Sequence, residues 1–119
     1  MAESATTRPD TEGDVIKMGN LELNVANYRV NVGGRAVDLT YHEFDLLSLL
    51  AAQPDRIVAF RDLTQALWSS QGYKELRRLN VLAFRLRAKL RESQPYRLET
   101  VRGRGYGLVK SVVGGVGDA

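Results

Sequence analysis

Residues 75–91 of this 119-residue chain read ELRRLNVLAFRLRAKLR, the most regular apolar pattern in the sequence. Apolar residues recur there at steps of three and four, which is the spacing of one helix face, at Leu76, Leu79, Ala83, Leu86 and Leu90. At about 100° per residue they fall within an arc of about 60–80°. We therefore predict a helix over residues 75–91 that buries this stripe.

The side of the predicted helix that faces away from the stripe mixes cations with apolar groups, at Arg77, Val81, Phe84, Arg85 and Ala88. A helix about 10–12 Å across fits the major groove of B-DNA, which is about 12 Å wide. In such a groove an arginine can donate to guanine O6 and N7, and apolar groups can contact thymine methyls. We expect Arg85 to read a guanine, and Val81 and Phe84 to contact methyl groups. Phe84 has a second interpretation, a contact with a neighbouring copy of the chain.

Asn80 can pair with an adenine edge or cap local backbone.

The positive charge is concentrated around the same helix. Residues 1–73 carry 6 basic and 10 acidic side chains, residues 74–110 carry 11 basic and 3 acidic ones, and the net charge of the chain is +3. A basic segment favours a polyanion, because each phosphate that it neutralises releases condensed counterions. The alternative is a solvated basic face without a partner.

Composition excludes several kinds of site. The chain has no Cys and one His, which excludes thiolate catalysis, disulfides and Cys/His metal sites, so we expect no cofactor, metal or small-molecule substrate. No apolar run approaches the roughly 18–20 residues that cross a bilayer, and residues 1–14 do not resemble a secretion signal. No two acidic residues have the spacing that would place them together on one face, so the sequence gives little support to an enzyme with a pair of catalytic carboxylates. We expect a non-enzymatic, cytoplasmic protein without membrane contact.

The first third of the chain has a different apolar period. Between Val15 and Leu39 apolar and polar residues alternate, and Gly33-Gly34 suits a tight hairpin turn. This pattern predicts an antiparallel sheet of about four strands. The spacing of Thr40 and Glu43 is that of a capping box, so a helix is expected from Thr40 to just before Pro54.

The remaining segments predict a second helix and a hairpin. We expect a short extended link at residues 56–59, a helix at residues 60–68 and a loop at residues 69–74. Strands at residues 96–101 and 106–109 flank a turn that contains Arg102 and Arg104. An arginine on a slim hairpin can enter the narrow minor groove; Arg102 is the first candidate and Arg104 the second.

The predicted fold is therefore α+β, a winged helix-turn-helix with an N-terminal antiparallel sheet of about four strands, three helices and a C-terminal β-hairpin wing. It occupies residues 15–110. Residues 1–14 and 111–119 are expected to be flexible tails or linkers.

Three segments also resemble motifs of the OmpR/PhoB family of response-regulator DNA-binding domains. LTYHEFDLL (residues 39–47) resembles the LTxxEFxLL segment that opens the family's first helix. Residues 77–90 resemble its recognition helix, RxVDVHIxRLRxKL, and TVRGRGYG (residues 100–107) resembles its wing, TVRGxGYR. The three segments occur in the family's order.

The resemblance implies the effector domain of a bacterial two-component transcription regulator, bound as two copies head to tail on direct repeats of double-stranded DNA. It implies a base contact for Arg85, minor-groove entry for Arg102, and phosphate or flanking contacts for Arg77, Arg78 and Arg87. Trp68 matches an indole that can reach a phosphate, although beside Leu67 it can also be a core group. A family loop implicated in contacting RNA polymerase matches Ser69, Ser70, Gln71, Gly72, Tyr73 and Lys74.

Several positions depart from the family pattern. In the recognition helix they are Asn80, Leu82 and Phe84, so the family's base preference does not transfer. Ala59-Phe60 stands where the family has Ser-Arg, and the lost cap costs on the order of 1 kcal/mol. We expect packing, or Asp62 near the helix dipole, to hold that helix start. Gly107 replaces an arginine of the wing.

A second hypothesis is a winged helix that binds protein, docking RNA polymerase or another regulator through residues 69–74 and Phe84. The family's phosphoacceptor domain does not precede this segment in the sequence, which fits either an excised domain or a stand-alone regulator.

Overall fold

The structure, a computed structural model, describes residues 15–110, and these form seven strands and three helices. The tails predicted at residues 1–14 and 111–119 lie outside the described residues. The elements are β1 (Val15–Met18), β2 (Leu21–Asn24), β3 (Arg29–Val32), β4 (Arg35–Val37), α1 (Tyr41–Ala51), β5 (Ile57–Ala59), α2 (Phe60–Trp68), α3 (Tyr73–Lys89), β6 (Tyr96–Val101) and β7 (Gly105–Lys110).

The N-terminal sheet is antiparallel with the strand order β1-β2-β3-β4, as the alternating pattern predicted. Leu21 pairs with Val32 and Leu23 with Val30, and all four side chains are buried. Alternation places these residues on one face of the sheet, so a single register buries all of them. The turn between β3 and β4 uses Gly33 and Gly34, both at positive φ.

Helix α1 begins at the predicted capping box. Thr40 Oγ1 accepts a hydrogen bond from the Glu43 amide at 3.2 Å, and Glu43 Oε1 accepts one from the Thr40 amide at 2.9 Å. The same carboxylate oxygen accepts a hydrogen bond from Lys89 Nζ at 2.7 Å, and Glu43 is only 2% exposed. The cap of α1 is therefore joined to the C-terminal end of α3.

This contact predicts a dependence of stability on pH. Burial raises the pKa of Glu43, but the hydrogen bonds and charge of Lys89 and the Thr40 hydrogen bonds outweigh it and hold the pKa below its ordinary value. The ionised carboxylate therefore stabilises the fold, and this contribution is lost as the pH falls below about 4.3. We expect Glu43→Gln to lower the free energy of unfolding at pH 7 by about 1–3 kcal/mol, with the difference from wild type shrinking in acid.

Chemical denaturation at several pH values measures this effect. Glu22→Gln is the matched control, because its 3.7 Å pair with Lys17 is exposed and should contribute less than about 0.5 kcal/mol. Equal losses for both variants, or a Glu43→Gln loss that does not change with pH, would contradict the assigned role.

The C-terminal sheet has three strands in the order β5-β7-β6, not the two predicted. Residues 56–59 were expected to be only an extended link, yet Ile57, Val58 and Ala59 pair with Gly107, Tyr106 and Gly105. A three-residue strand is too short to show a period, and its partner lies far along the chain. Strand β7 also extends one residue beyond the prediction at each end, to Gly105 and Lys110.

Helix α2 has the predicted bounds although Ala59, at its N-cap, has no polar side chain. The Phe60 amide donates instead to the carbonyl oxygen of Arg104 at 3.0 Å. The Phe60 ring packs edge-on against Tyr106, with centroids 5.5 Å apart, and Asp62 lies in the first turn. A backbone carbonyl of the wing therefore accepts a hydrogen bond from the start of α2, which has no capping side chain. The expected packing of this helix start and the expected position of Asp62 near the helix dipole accompany this bond.

Helix α3 begins and ends two residues earlier than predicted, at Tyr73 and Lys89. Ser69 ends α2 in the left-handed conformation, and Gly72 is the N-cap of α3, its carbonyl accepting from the Leu76 amide. A glycine N-cap offers no polar side chain to mark the start in the sequence. The loop is therefore residues 69–72, shorter than the predicted 69–74, and Tyr73 and Lys74 belong to the first turn of α3.

The predicted apolar stripe of α3 lies in the core. Leu79, Ala83 and Leu86 are fully buried, Leu90 is buried, and Leu76 packs against the core with partial exposure. No helix within residues 15–110 is long and apolar enough to span a membrane.

Candidate nucleic-acid interface

The exposed side of α3 carries every residue of this helix to which a DNA contact was assigned from the sequence. We define this outer face of α3 by its exposed members, Arg77, Arg78, Asn80, Val81, Phe84, Arg85, Arg87 and Ala88. Because the stripe on the other side is buried, no rotation of the helix can bury this face without exposing the core. Within residues 15–110, none of the arginines on the outer face forms a salt bridge.

One flank of α3 is attached to the wing, which we define as β6, β7 and the turn between them. Tyr106 Oη donates to Asn80 Oδ1 at 2.7 Å. Arg87 Nε donates to the carbonyl oxygen of Leu98 at 3.1 Å, and its Nη2 donates to Thr100 Oγ1. These contacts hold the wing beside α3.

The same contacts show how two predicted site residues are used within the fold. Burial raises the pKa of Tyr106, against the charge of Arg87, so its hydroxyl remains a donor at neutral pH. The carbonyl oxygen of Asn80 accepts this bond, and the residue as a whole is exposed. The sequence predicted neither the bond between Tyr106 and Asn80 nor the bonds from Arg87 to the wing. It suggested an adenine edge or local backbone as the partner of Asn80. Tyr106 and Thr100 hold the wing against α3, and sequence reasoning missed both because their roles depend on contacts between distant segments.

The opposite flank of α3 borders a groove of about 410 Å³ that Arg77, Arg78 and Arg85 line together with Trp68 and His42. The Arg78 guanidinium lies 4.8 Å from the centroid of the Trp68 ring, at cation–π distance. The ring of His42 lies 5.7 Å from that of Trp68.

Trp68 has the core position that one of its two predicted roles requires. The side chain is half-buried and packs against the core, yet its Nε1 donates to no acceptor within residues 15–110 although the atom is buried. A buried N–H without an acceptor costs about 1–3 kcal/mol. The three arginines that line the groove form a set of donors that suits a phosphate.

The tip of the wing is a tight turn between β6 and β7. The Arg104 amide donates to the Val101 carbonyl at 2.9 Å, and Gly103 adopts a positive φ. Arg102 and Arg104 are both exposed there, and neither forms a salt bridge with any carboxylate of the described part of the chain. The tip therefore presents two cations that have no ion-pair partner among residues 15–110.

The residues matched to the polymerase-contact loop divide between two elements. Ser69, Ser70, Gln71 and Gly72 connect α2 to α3, where Gln71 Nε2 donates to Gln65 Oε1 at 3.1 Å. Tyr73 and Lys74 are exposed on the first turn of α3, and Tyr73 is 78% exposed. The segment is thus an accessible corner of the helix pair.

Comparison with known proteins identifies the family of this fold. The family model described as "Transcriptional regulatory protein, C terminal" matches residues 34–108. The DNA-binding response regulator MtrA of Mycolicibacterium smegmatis is 33% identical over 99 residues, which cover 82% of this chain and 43% of MtrA. The chain spans less than half the length of the response regulators that it matches.

Solved structures show the same similarity. The DNA-binding domain of CpxR from E. coli superposes with a TM-score of 0.73 at 27% identity, covering 82% of this chain and 98% of that domain. The Klebsiella pneumoniae RstA DNA-binding domain, solved in complex with the RstA box, gives a TM-score of 0.72 at 33% identity, covering 80% and 96%. These similarities confirm the winged-helix fold and the motif resemblance, and the chain belongs to the OmpR/PhoB family of response-regulator effector domains.

Proposed function

We propose that this chain binds double-stranded DNA sequence-specifically as the effector domain of a bacterial transcription regulator. The observation that carries the proposal is the outer face of α3, whose arginines are exposed and unpaired within residues 15–110, beside a wing tip with two further unpaired arginines. Such an arrangement suits a helix in the major groove and an arginine in the adjacent minor groove. The role is one of binding rather than catalysis, in the cytoplasm.

The positions of the arginine side chains support different contacts with DNA: base edges, phosphates and the minor groove. Arg85 lies on the outer face at the edge of the groove, so it can reach base edges in the major groove. Arg77 and Arg78 line that groove beside Trp68 and suit phosphate oxygens. Arg102 and Arg104 at the wing tip suit the minor groove.

Arg87 has a narrower role in this proposal. Its Nε and Nη2 are engaged by the wing, so the other guanidinium nitrogen is left to meet a phosphate. Asn80 is exposed and can donate to a base with its amide nitrogen while its oxygen accepts the bond from Tyr106.

The proposed protein partners are those that the resemblance to the family implies. Two copies bound head to tail on direct repeats, and RNA polymerase contacted through residues 69–74, are part of the proposal. The exposure of Tyr73 favours the second of these contacts. A purely protein-binding winged helix is the competing function, and the exposed Phe84 and Tyr73 side chains favour it.

Selection of bound duplexes from a random pool tests the proposal. We expect recovery of a defined site, with two half-sites in the same orientation if two copies bind head to tail. Recovery of random sequences after several rounds would contradict sequence-specific binding.

Replacing Arg85 by alanine tests base reading on the selected site. We expect Arg85→Ala to reduce discrimination between the selected and random duplexes by about 1–3 kcal/mol, while binding to random DNA survives. Affinities for both duplexes measure the effect. Arg29→Ala, an exposed arginine on β3 far along the chain from α3, should leave both affinities unchanged. An equal loss on both duplexes for Arg85→Ala would show a phosphate contact instead.

A further inference from the structure

The outer face of α3 contains two large apolar side chains that its own fold does not cover. Phe84 is 69% exposed and Val81 is 50% exposed. A single exposed apolar residue is ordinary in a soluble protein. Here two of them stand three positions apart on one helix, and three-residue spacing makes their side chains neighbours. Arginines flank the pair at Arg77 and Arg85.

The helix geometry gives the pair a central position. At about 100° per residue, Val81 points almost directly away from the buried stripe, and Phe84 and Arg85 diverge from it by about 60° and about 40° in opposite directions. Phe84 leans towards the flank on which Asn80 holds the wing, and Arg85 towards the groove with Trp68. Any duplex seated on this face therefore meets the apolar pair between the base-reading arginine and the wing.

The chemistry of the major groove restricts what this pair can recognise. Phe84 and Val81 have no hydrogen-bonding side-chain atom, so they cannot read a donor or an acceptor, and they cannot bind a phosphate. The apolar group that B-DNA presents in its major groove is the 5-methyl of thymine. Cytosine presents the same group at the same position once it is methylated at C5.

We propose that Phe84, with Val81 beside it, is a specificity-determining residue that reads the 5-methyl group of a pyrimidine in the major groove. The inference rests on the proposed DNA-binding function, and it makes the methyl contact expected from the sequence a determinant of base specificity. The recognised base is then defined by a methyl group and not by its hydrogen-bonding edge.

Replacement of thymine by uracil tests this directly, because it removes the methyl group and leaves base pairing intact. The experiment uses the full 119-residue chain and the duplex recovered by selection, with each thymine replaced by deoxyuridine in turn. We expect the affinity to fall about 3–10-fold at one or two positions, as loss of one buried methyl group requires. For Phe84→Ala the same replacements should change the affinity by less than about twofold.

Methylated cytosine provides the reciprocal measurement. At the sensitive position, a 5-methylcytosine–guanine pair should bind more tightly than a cytosine–guanine pair by a similar factor, and this preference should disappear in Phe84→Ala. Phe84→Leu keeps an apolar side chain and should retain part of it. Because Phe84 is largely exposed, its truncation leaves no cavity, and circular dichroism checks the fold of each variant.

The controls separate this inference from the function on which it rests. Arg85→Ala should keep the sensitivity to deoxyuridine while losing discrimination at another base. If the selected duplex is preferred in an Arg85-dependent manner but no thymine replacement has a Phe84-dependent effect, methyl reading is wrong and DNA recognition stands. If Phe84→Ala weakens binding to a two-site duplex but not to one half-site, without any methyl dependence, Phe84 contacts a second copy and the inference is overturned. If no duplex is preferred over random DNA, both proposals fail.

Discussion

Raising the NaCl concentration from about 50 mM to about 200 mM is expected to weaken binding to the selected duplex about a thousandfold. The physical reason is the release of condensed counterions by about six phosphate contacts, which makes log affinity fall with log salt with a slope near −5. Cations on the outer face of α3 and at the wing tip that lack salt-bridge partners within residues 15–110 are the source of these contacts. Titration by fluorescence anisotropy at several salt concentrations measures the slope.

Single substitutions show which residues contribute to the slope of log affinity against log salt. Arg77→Ala should reduce its magnitude by about 1, as expected when one phosphate contact is lost. Arg29→Ala should leave it unchanged, because Arg29 lies on β3 and not on the outer face. An affinity for DNA that is nearly independent of salt would contradict the proposed interface and favour the protein-binding alternative.

The second large effect is expected at Gly105, where the wing passes close to β5. A Cβ atom at this position would lie 1.9 Å from the carbonyl oxygen of Val58 and 2.7 Å from its carbonyl carbon. Both are backbone atoms of a paired strand, so no side-chain rotation can relieve the contact. We expect Gly105→Ala to reduce the free energy of unfolding by about 3 kcal/mol, at the upper end of the cost of overpacking.

Chemical denaturation compares this variant with Gly72→Ala. A Cβ at Gly72 would come within 3 Å of nothing except the end of the Glu75 side chain, at 2.7 Å, which is free to move. The cost of Gly72→Ala should therefore stay below about 1 kcal/mol. Equal unfolding midpoints for the two variants would show that β5 can move away at little cost in free energy. They would also show that the close contact between Gly105 and Val58 does not hold the wing in place.

The Gly105 position also connects stability to function. Displacing β5 from β7 would disturb the Arg104 carbonyl that accepts from the Phe60 amide, and so the start of α2. A partly folded Gly105→Ala variant is therefore expected to lose contacts of the wing tip with DNA as well. The backbone bond to Phe60 indicates that the wing supports the start of α2, in addition to the minor-groove contact proposed for its tip.

Elements with a local signal were predictable from the sequence. The capping box at Thr40 and the alternating strands before it depend on residues within a few positions of one another, and the structure has them where the pattern indicated. Helix α3 was predicted from its apolar stripe, but its start was misplaced because a glycine N-cap has no polar side chain to recognise. For the same reason residues 73 and 74 were assigned to a loop.

What the sequence determined by itself is the type of fold and the composition of the outer face of α3, because periodicity decides which residues are buried and leaves the others exposed. The tertiary structure decided how these groups are held. Two such contacts, the pairing of β5 with β7 and the bond from Tyr106 to Asn80, join segments far apart in the chain. Contacts of this kind arise from packing between elements, and no local pattern of residues encodes them.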